Sequence, residues 1–237
     1  MKNIGLNSFT AGDDYIKFNE GEIEIIFSTA ENGKNFNRNT KEGIKELESL
    51  ALLFNCKRVK YLNQIHSNKV FTYKVEEKEF TDYEGDAVIT NEKKSIIGVF
   101  TADCVPIILV DKVNKAIAAI HSGWKGTFNS KTKKTIEKMI QEYEVKIEDI
   151  KVYIGPHIRQ CCYEVSEELK EEFLNKTKIK EDELFDGRNL SMERCILEDL
   201  RSINIEEDNI YTINLCTYCE DKIKLFSYRK SVGTYGR

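Results

Sequence analysis

The sequence predicts an α+β fold in one domain across residues 1–237. Three observations carry that prediction. Short β-branched and aromatic runs follow one another from residue 59 to 121, unlike the regular strand–helix alternation of a parallel α/β sheet. Segments with apolar residues at helical spacing lie before and after that run. No Gly/Ser- or Pro-rich linker and no fixed-period repeat divides the chain.

The elements follow from local pattern. Thr40 is placed to cap a helix carrying Ile44, Leu47, Ala51 and Phe54 on one stripe. Asn129 or Ser130 precedes a second, with Ile136, Met139, Ile140 and Tyr143 inward. Ser166 starts a third with Leu169 and Phe173. Ser191 starts a fourth that turns Cys195, Ile196, Leu200 and Ile203 inward, so Cys195 reads as a buried apolar residue. Strands are expected at 23–27, 59–62, 70–73, 87–89, 96–100, 107–110, 116–120, 152–154, 211–214 and 225–228.

Composition excludes several classes. With 41% hydrophobic and 10% aromatic residues the chain is not disordered. A net charge of -4 gives no basic field for nucleic acid or an anionic membrane. The longest apolar stretches, 96–100, 105–110 and 116–120, are too short to span a bilayer, and the first residues lack a signal peptide's apolar run. A cytoplasmic location is expected. The mixed Lys/Glu runs read as solvated faces. Seven cysteines, an odd number, do not read as a disulfide scaffold.

The chemistry clusters in a few short segments. All three histidines, His66, His121 and His157, fall at apparent strand ends. His66, Cys104 and His121 together offer two imidazoles and one thiolate, a zinc set with a fourth position open for water or substrate; core or surface histidines are an equal alternative. Asp103 and Asp86 are the nearest carboxylates, and Asp103 is placed either as an acceptor for a ligand histidine, as a proton carrier, or as a turn residue. A rival set, His157, Cys161, Cys162, Cys216 and Cys219, contains one CxxC pair and ranks below the first because its segments lie far apart. Arg159, Arg229 and Arg237 offer guanidinium forks for phosphate or carboxylate, with a solvated tail the favoured alternative for the last segment.

Six motifs then add up to a resemblance. Gln64-Ile65-His66, Gly85-Asp86-Ala87, Thr101-Ala102-Asp103-Cys104-Val105-Pro106, His121-Ser122-Gly123-Trp124-Lys125-Gly126, Gly155-Pro156 with Cys162-Tyr163-Glu164-Val165, and Ser227-Tyr228-Arg229 with Gly236-Arg237 resemble the YfiH-type family. Its members are named polyphenol oxidase or laccase-domain protein, peptidoglycan editing factor and zinc purine nucleoside phosphorylase. The match runs from about residue 20 to the C-terminus. The resemblance implies mixed β-sheets flanked by helices and a catalytic zinc on His66, Cys104 and His121. It also implies phosphorolysis of adenosine, inosine and methylthioadenosine, with adenosine deaminase activity alongside. Purine nucleosides and phosphate are then the partners, with Lys125 or Arg229 holding phosphate and Trp124 or Tyr163 stacking on the base or simply packing. The chain departs from the family at Gly43-Ile44-Lys45, where an Asn-Arg pair is usual, and at Thr234-Tyr235-Gly236-Arg237, which can displace Arg237.

Other readings stay open beside this one. Cys104 with His121 as base would make a cysteine hydrolase. A peptidoglycan-precursor editing role is a further class. A multicopper polyphenol oxidase needs more imidazoles than three, so copper is expected only as an adventitious occupant of the zinc position, although a single His2Cys copper is compatible with the set. Preferred nucleoside and oligomeric state, a homodimer included, are left open.

Overall fold

Two apolar strands, β8 (Val105–Asp111) and β9 (Ala116–Ser122), form the centre of the protein. Nearly every residue in both is buried, as expected where both faces of a sheet are covered. Asp111 closes the turn between them by accepting the Val113 N–H at 2.8 Å and the Asn114 side-chain amide at 2.8 Å. The computed structural model describes residues 1–5, 14–77 and 80–231.

Around this pair grows a seven-stranded mixed sheet. On one side β10 (Ile150–Ile154) runs antiparallel to β8, followed by β13 (Ile210–Ile213) and β1 (Lys2–Ile4), which are parallel to β10. On the other, β6 (Ala87–Thr90) is antiparallel to β9, and β5 (Val70–Thr72) is parallel to β6. One face carries Ile107, Leu109, Ala118 and Ile120. These pack against Ile136 and Met139 of α3 (Lys131–Tyr143) and Ile196 and Leu200 of α6 (Met192–Ser202). The other face carries Val110, Tyr153 and Ile213, covered by Ile16, Ile25 and Phe27 of the hairpin β2 (Tyr15–Glu20) and β3 (Ile23–Ser28). The fold is thus α+β with mixed sheets flanked by helices. The short parallel pair β4 (Arg58–Lys60) and β7 (Ser95–Ile97) lies beside α1 (Lys41–Leu53), and the short helices α2 (Trp124–Phe128), α4 (Glu167–Lys176) and α5 (Glu181–Leu184) join the helical layer. A two-residue pair, β11 (Phe185–Asp186) and β12 (Asn189–Leu190), completes the strands. No helix among the described residues is long and apolar enough to cross a membrane.

Most predicted elements form, and the differences have local causes. Thr40 caps α1 by accepting the Gly43 N–H at 3.0 Å. The helix buries Gly43, Leu47 and Leu50, whereas Ile44 is 40% exposed. A Cβ at Gly43 would stand 2.0 Å from the Asn37 carbonyl oxygen, so this close approach sets the rotation of the helix. Residues 225–228 form no strand. The Ser227 hydroxyl accepts the Lys230 N–H and its carbonyl accepts the Ser231 N–H, a local turn that competes with sheet pairing. Tyr15–Glu20 is an additional strand, joined to β3 through Gly21 at φ 64°. Cys195 packs partly buried against the main core, and burial pushes its thiol up to about 12.

Opposing effects meet at Gly43→Ala. Alanine favours an exposed helix interior by about 1 kcal/mol, but here its methyl must push backbone aside, an overpacking cost of about 1–3 kcal/mol. Urea unfolding is expected to show net destabilisation; a stabilised variant would mean that residues 37–43 relax freely.

Candidate metal centre

Strand ends bring the chemistry together. In the antiparallel register Pro106 lies opposite His121 and Ala87 opposite Ile120, so the start of β8, the end of β9 and the start of β6 share one edge of the sheet. Cys104 directly precedes β8, Asp86 directly precedes β6, and the loop holding His66 leads toward β5. The ligand atoms of His66, Cys104 and His121 lie within 4.8 Å of one another, with Cys104 Sγ 3.9 Å from His66 Nε2. The His66 and His121 rings meet edge to face at 4.8 Å between centroids. His121 is buried, Cys104 half-buried and His66 exposed, so the trio opens to solvent on one side.

Asp86 organises this edge. Its fully buried carboxylate accepts the N–H groups of Ile65 (3.3 Å), His66 (3.0 Å) and Ser67 (2.5 Å), and the Ser67 hydroxyl (2.8 Å). Its Oδ1 also lies 2.8 Å from His121 Nδ1, and its carbonyl accepts the His121 N–H at 2.8 Å. The convergent N–H groups hold His66 in the left-handed region at φ 58°, an uncommon conformation for a residue with a side chain. Burial alone would raise the Asp86 carboxyl, but the His121 hydrogen bond, the Lys131 charge and the Ser67 N–H outweigh it and hold it well below the usual carboxylate range. An ionised carboxylate only accepts, so His121 Nδ1 carries the proton and Nε2 is left as the ring's ligand atom. Burial also pushes His121 down to about 4, against the pull of Asp86, so the ring is neutral at neutral pH. The acceptor that orients a ligand histidine is therefore Asp86, while Asp103 makes other contacts.

Asp103 sits at φ 94° immediately before Cys104. Its carboxylate accepts the Thr217 hydroxyl at 2.7 Å and the Arg229 N–H at 2.7 Å, and its carbonyl accepts the Ile158 N–H at 3.0 Å. Those contacts from three segments over-determine a strained backbone that turns Cys104 toward the histidines. Arg229 also donates to the Glu164 carbonyl at 2.6 Å and lies over the Tyr163 ring at 4.9 Å. Tyr163 is pushed up to about 12, first by burial and then by the Cys104 charge. Gly123 follows β9 where a Cβ would stand 2.9 Å from Cys104 Sγ and 3.1 Å from the His66 ring, so only glycine leaves room between the ligands.

Lys131 corrects the reading of Lys-rich segments as solvated. Its ammonium is fully buried beneath the site and donates to the His121 carbonyl at 2.7 Å. Burial pushes it down to about 8 while Asp86 and Cys104 pull it up. It lies within a run of Lys131, Lys133 and Lys134, where sequence gives no sign that the first is inward. Lys125 is exposed on α2 with its ammonium 5.5 Å from the Trp124 ring, and Trp124 packs partly buried against the main core. Lys45 is exposed on α1, and Arg237 lies outside the described residues.

The rival cysteines also converge. Ligand atoms of Cys161, Cys162, Cys216 and Cys219 lie within 4.8 Å of one another, although 58 residues separate Cys161 from Cys219. His157 does not join them: it is buried, with its Nδ1 2.9 Å from the Gly155 carbonyl. It is a packed residue rather than an open-loop one.

The donor set at the first trio suits a metal of borderline softness. Two imidazoles and one thiol converge, one imidazole is oriented by a buried carboxylate, and a glycine leaves the space between them clear. A mixed sheet that presents such a trio at its strand ends defines an α+β protein with a candidate metal centre open on one side. Residues 21–237 match the family model described as "Multi-copper polyphenol oxidoreductase laccase", and the chain belongs to that family. A purine nucleoside phosphorylase from Clostridium acetobutylicum is 44% identical over 223 residues, covering 94% of this chain and 92% of the relative. Another, from Borreliella burgdorferi, is 36% identical over 194 residues, covering 79% of this chain and 81% of its own length. The fold is similar to that of YlmD from Geobacillus stearothermophilus, with a TM-score of 0.81 at 20% identity, 95% of this chain and 90% of that one being covered. A Neisseria meningitidis protein, NMB0706, gives 0.81 at 22% identity, over 94% of this chain and 96% of that one.

Because the Asp86 carboxyl is depressed in the folded state, its stabilisation is fully present above the unfolded value near ~3.9 and is lost as pH falls below it. Asp86→Asn is therefore expected to cost about 3 kcal/mol at neutral pH, with the gap to the native protein narrowing below about pH 4. Urea unfolding of metal-depleted protein at both pH values checks this. Equal stabilities at neutral pH would mean that the carboxylate does not organise the edge.

Proposed function

We propose that this chain is a zinc-dependent purine nucleoside phosphorylase acting on inosine, adenosine and methylthioadenosine. The observation that carries the reading is the convergence of His66, Cys104 and His121 within 4.8 Å on a side open to solvent. Relatives named purine nucleoside phosphorylase cover most of the chain, which supports the same chemistry here.

Bound zinc supplies a Lewis acid with one position left for an oxygen of phosphate or water. The chain's own residues do the rest. His121 enters neutral, its Nδ1–H fixed on Asp86, so no proton must leave before it can act as a ligand. Asp103, with both carboxylate oxygens accepting hydrogen bonds, positions Cys104 rather than carrying a proton. Lys125 and Arg229 bring positive charge toward the phosphate that attacks the sugar's anomeric carbon as the carbon–nitrogen bond to the base breaks. Trp124, which is only partly buried, is a candidate to stack on the base beside its packing against the core. Deamination of adenosine would be a separate reaction, in which water adds to C6 of the purine and the C6–amino bond breaks to release ammonia; a zinc held by His66, Cys104 and His121 would supply the Lewis acid for it.

The family description speaks of many coppers, but only three histidines exist in the chain and His157 is buried at another place. Two imidazoles do not build a multicopper centre, so copper at the trio is read as an adventitious occupant. A cysteine hydrolase is the second reading, favoured by one contact: the Cys104 thiol lies 3.9 Å from His66 Nε2, an imidazole within reach as a base.

Incubation with inosine should release hypoxanthine and ribose 1-phosphate only when phosphate is added. Cys104→Ala should lose the trio's zinc and at least about 100-fold in kcat/KM while keeping its fold by circular dichroism. Full activity in metal-free protein, abolished by alkylation of Cys104, would replace this reading with the hydrolase. Lys125→Ala or Arg229→Ala is expected to raise KM for phosphate about 10-fold, with a smaller change for inosine; an unchanged phosphate KM in both would remove them from the binding site.

A further inference from the structure

Four cysteines outside the proposed active site form a set that nothing in the nucleoside chemistry uses. Cys161 and Cys162 lie in the turn that follows Ile158, and Cys216 and Cys219 in the turn after β13. The two turns run side by side. His157 donates its N–H to the Leu215 carbonyl and its own carbonyl accepts the Thr217 N–H at 3.1 Å. The four sulfur atoms fall within 4.8 Å of one another, and Cys161 Sγ is 3.8 Å from Cys219 Sγ. Zinc–sulfur bonds of about 2.3 Å in a tetrahedron place sulfurs about 3.8 Å apart, so the spacing fits one ion and is too tight for a multi-iron cluster. No disulfide forms among the described cysteines. The backbone N–H of Arg159 donates to Cys216 Sγ at 3.5 Å.

We propose that Cys161, Cys162, Cys216 and Cys219 bind a second zinc ion, closed by four protein sulfurs and therefore structural rather than catalytic. The ion ties together the two turns that support the wall of the first site. From one turn Ile158 donates to the Asp103 carbonyl, and the Glu164 carbonyl a few residues on accepts Arg229. From the other, Thr217 donates to the Asp103 carboxylate at 2.7 Å. The tetrathiolate clip thus holds Asp103 in its strained conformation and sets the position of Cys104. The binding of this ion does not depend on the nucleoside reading.

Metal analysis tests it directly. Protein purified under reductant without added metal should carry two zinc ions per chain. Cys161→Ser/Cys219→Ser, which changes only exposed cysteines, should carry one, and Cys104→Ser should likewise carry one. Added to metal-depleted protein, Co2+ alone should give an intense near-ultraviolet thiolate charge-transfer band. Most of that band should survive Cys104→Ser and disappear in the double variant. Thermal unfolding of the double variant should fall by roughly 5–10 °C. One zinc in the native protein that is unaffected by the double substitution would overturn the proposal. So would iron at the four cysteines, or a Cys161–Cys219 disulfide found by mass spectrometry in reductant-treated protein. Retention of two zinc ions by Cys104→Ser would instead count against the first site alone.

Discussion

A single buried carboxylate, that of Asp86, is the constraint on which the candidate centre depends. One group accepts from the backbone of Ile65, His66 and Ser67 and from the His121 ring, so it fixes one ligand through its main chain and the other through its imidazole. A fully buried charge is tolerated only when it is this densely hydrogen-bonded and has a counter-charge. The counter-charge is Lys131, equally buried and donating to the His121 carbonyl. Asp86 is ionised, Lys131 is cationic below about 8, and His121 is neutral between them.

The sheet explains why these groups meet at all. Antiparallel pairing of β8 and β9 puts the residue before one strand beside the last residues of the other, and β6 adds Asp86 at the same edge. Those strands are rigid because both faces are covered, by α3 and α6 on one side and the β2–β3 hairpin on the other. The loops at their ends then carry strain, φ 58° at His66 and φ 94° at Asp103, that a floppy scaffold would release. The second cysteine cluster fits the same economy, since it would restrain the two turns that contact Asp103 through Ile158 and Thr217.

Much of this is legible in the residues. Runs such as 107–110 and 116–120 are apolar enough to read as interior strands, and scarce histidines at strand ends signal a site. The motifs Gly85-Asp86-Ala87 and Asp103-Cys104 mark the right segments, yet the division of labour between the two aspartates is invisible without knowing which one the loop folds onto. Lys131 looks solvated because its neighbours are, and only the third dimension turns it under His121. Ile44 is misplaced by one helical position because a backbone contact at Gly43, rather than hydrophobicity, decides the rotation. The four cysteines are under-ranked for the opposite reason: sequence distance hides that β10 and β13 are parallel neighbours whose following turns lie together.

The most direct measurement is anomalous diffraction at the zinc edge from crystals grown with phosphate. A peak is predicted between His66, Cys104 and His121, with a non-protein oxygen completing its coordination. Absence of a peak there, or a fourth protein ligand closing it, would contradict an open zinc centre organised by Asp86.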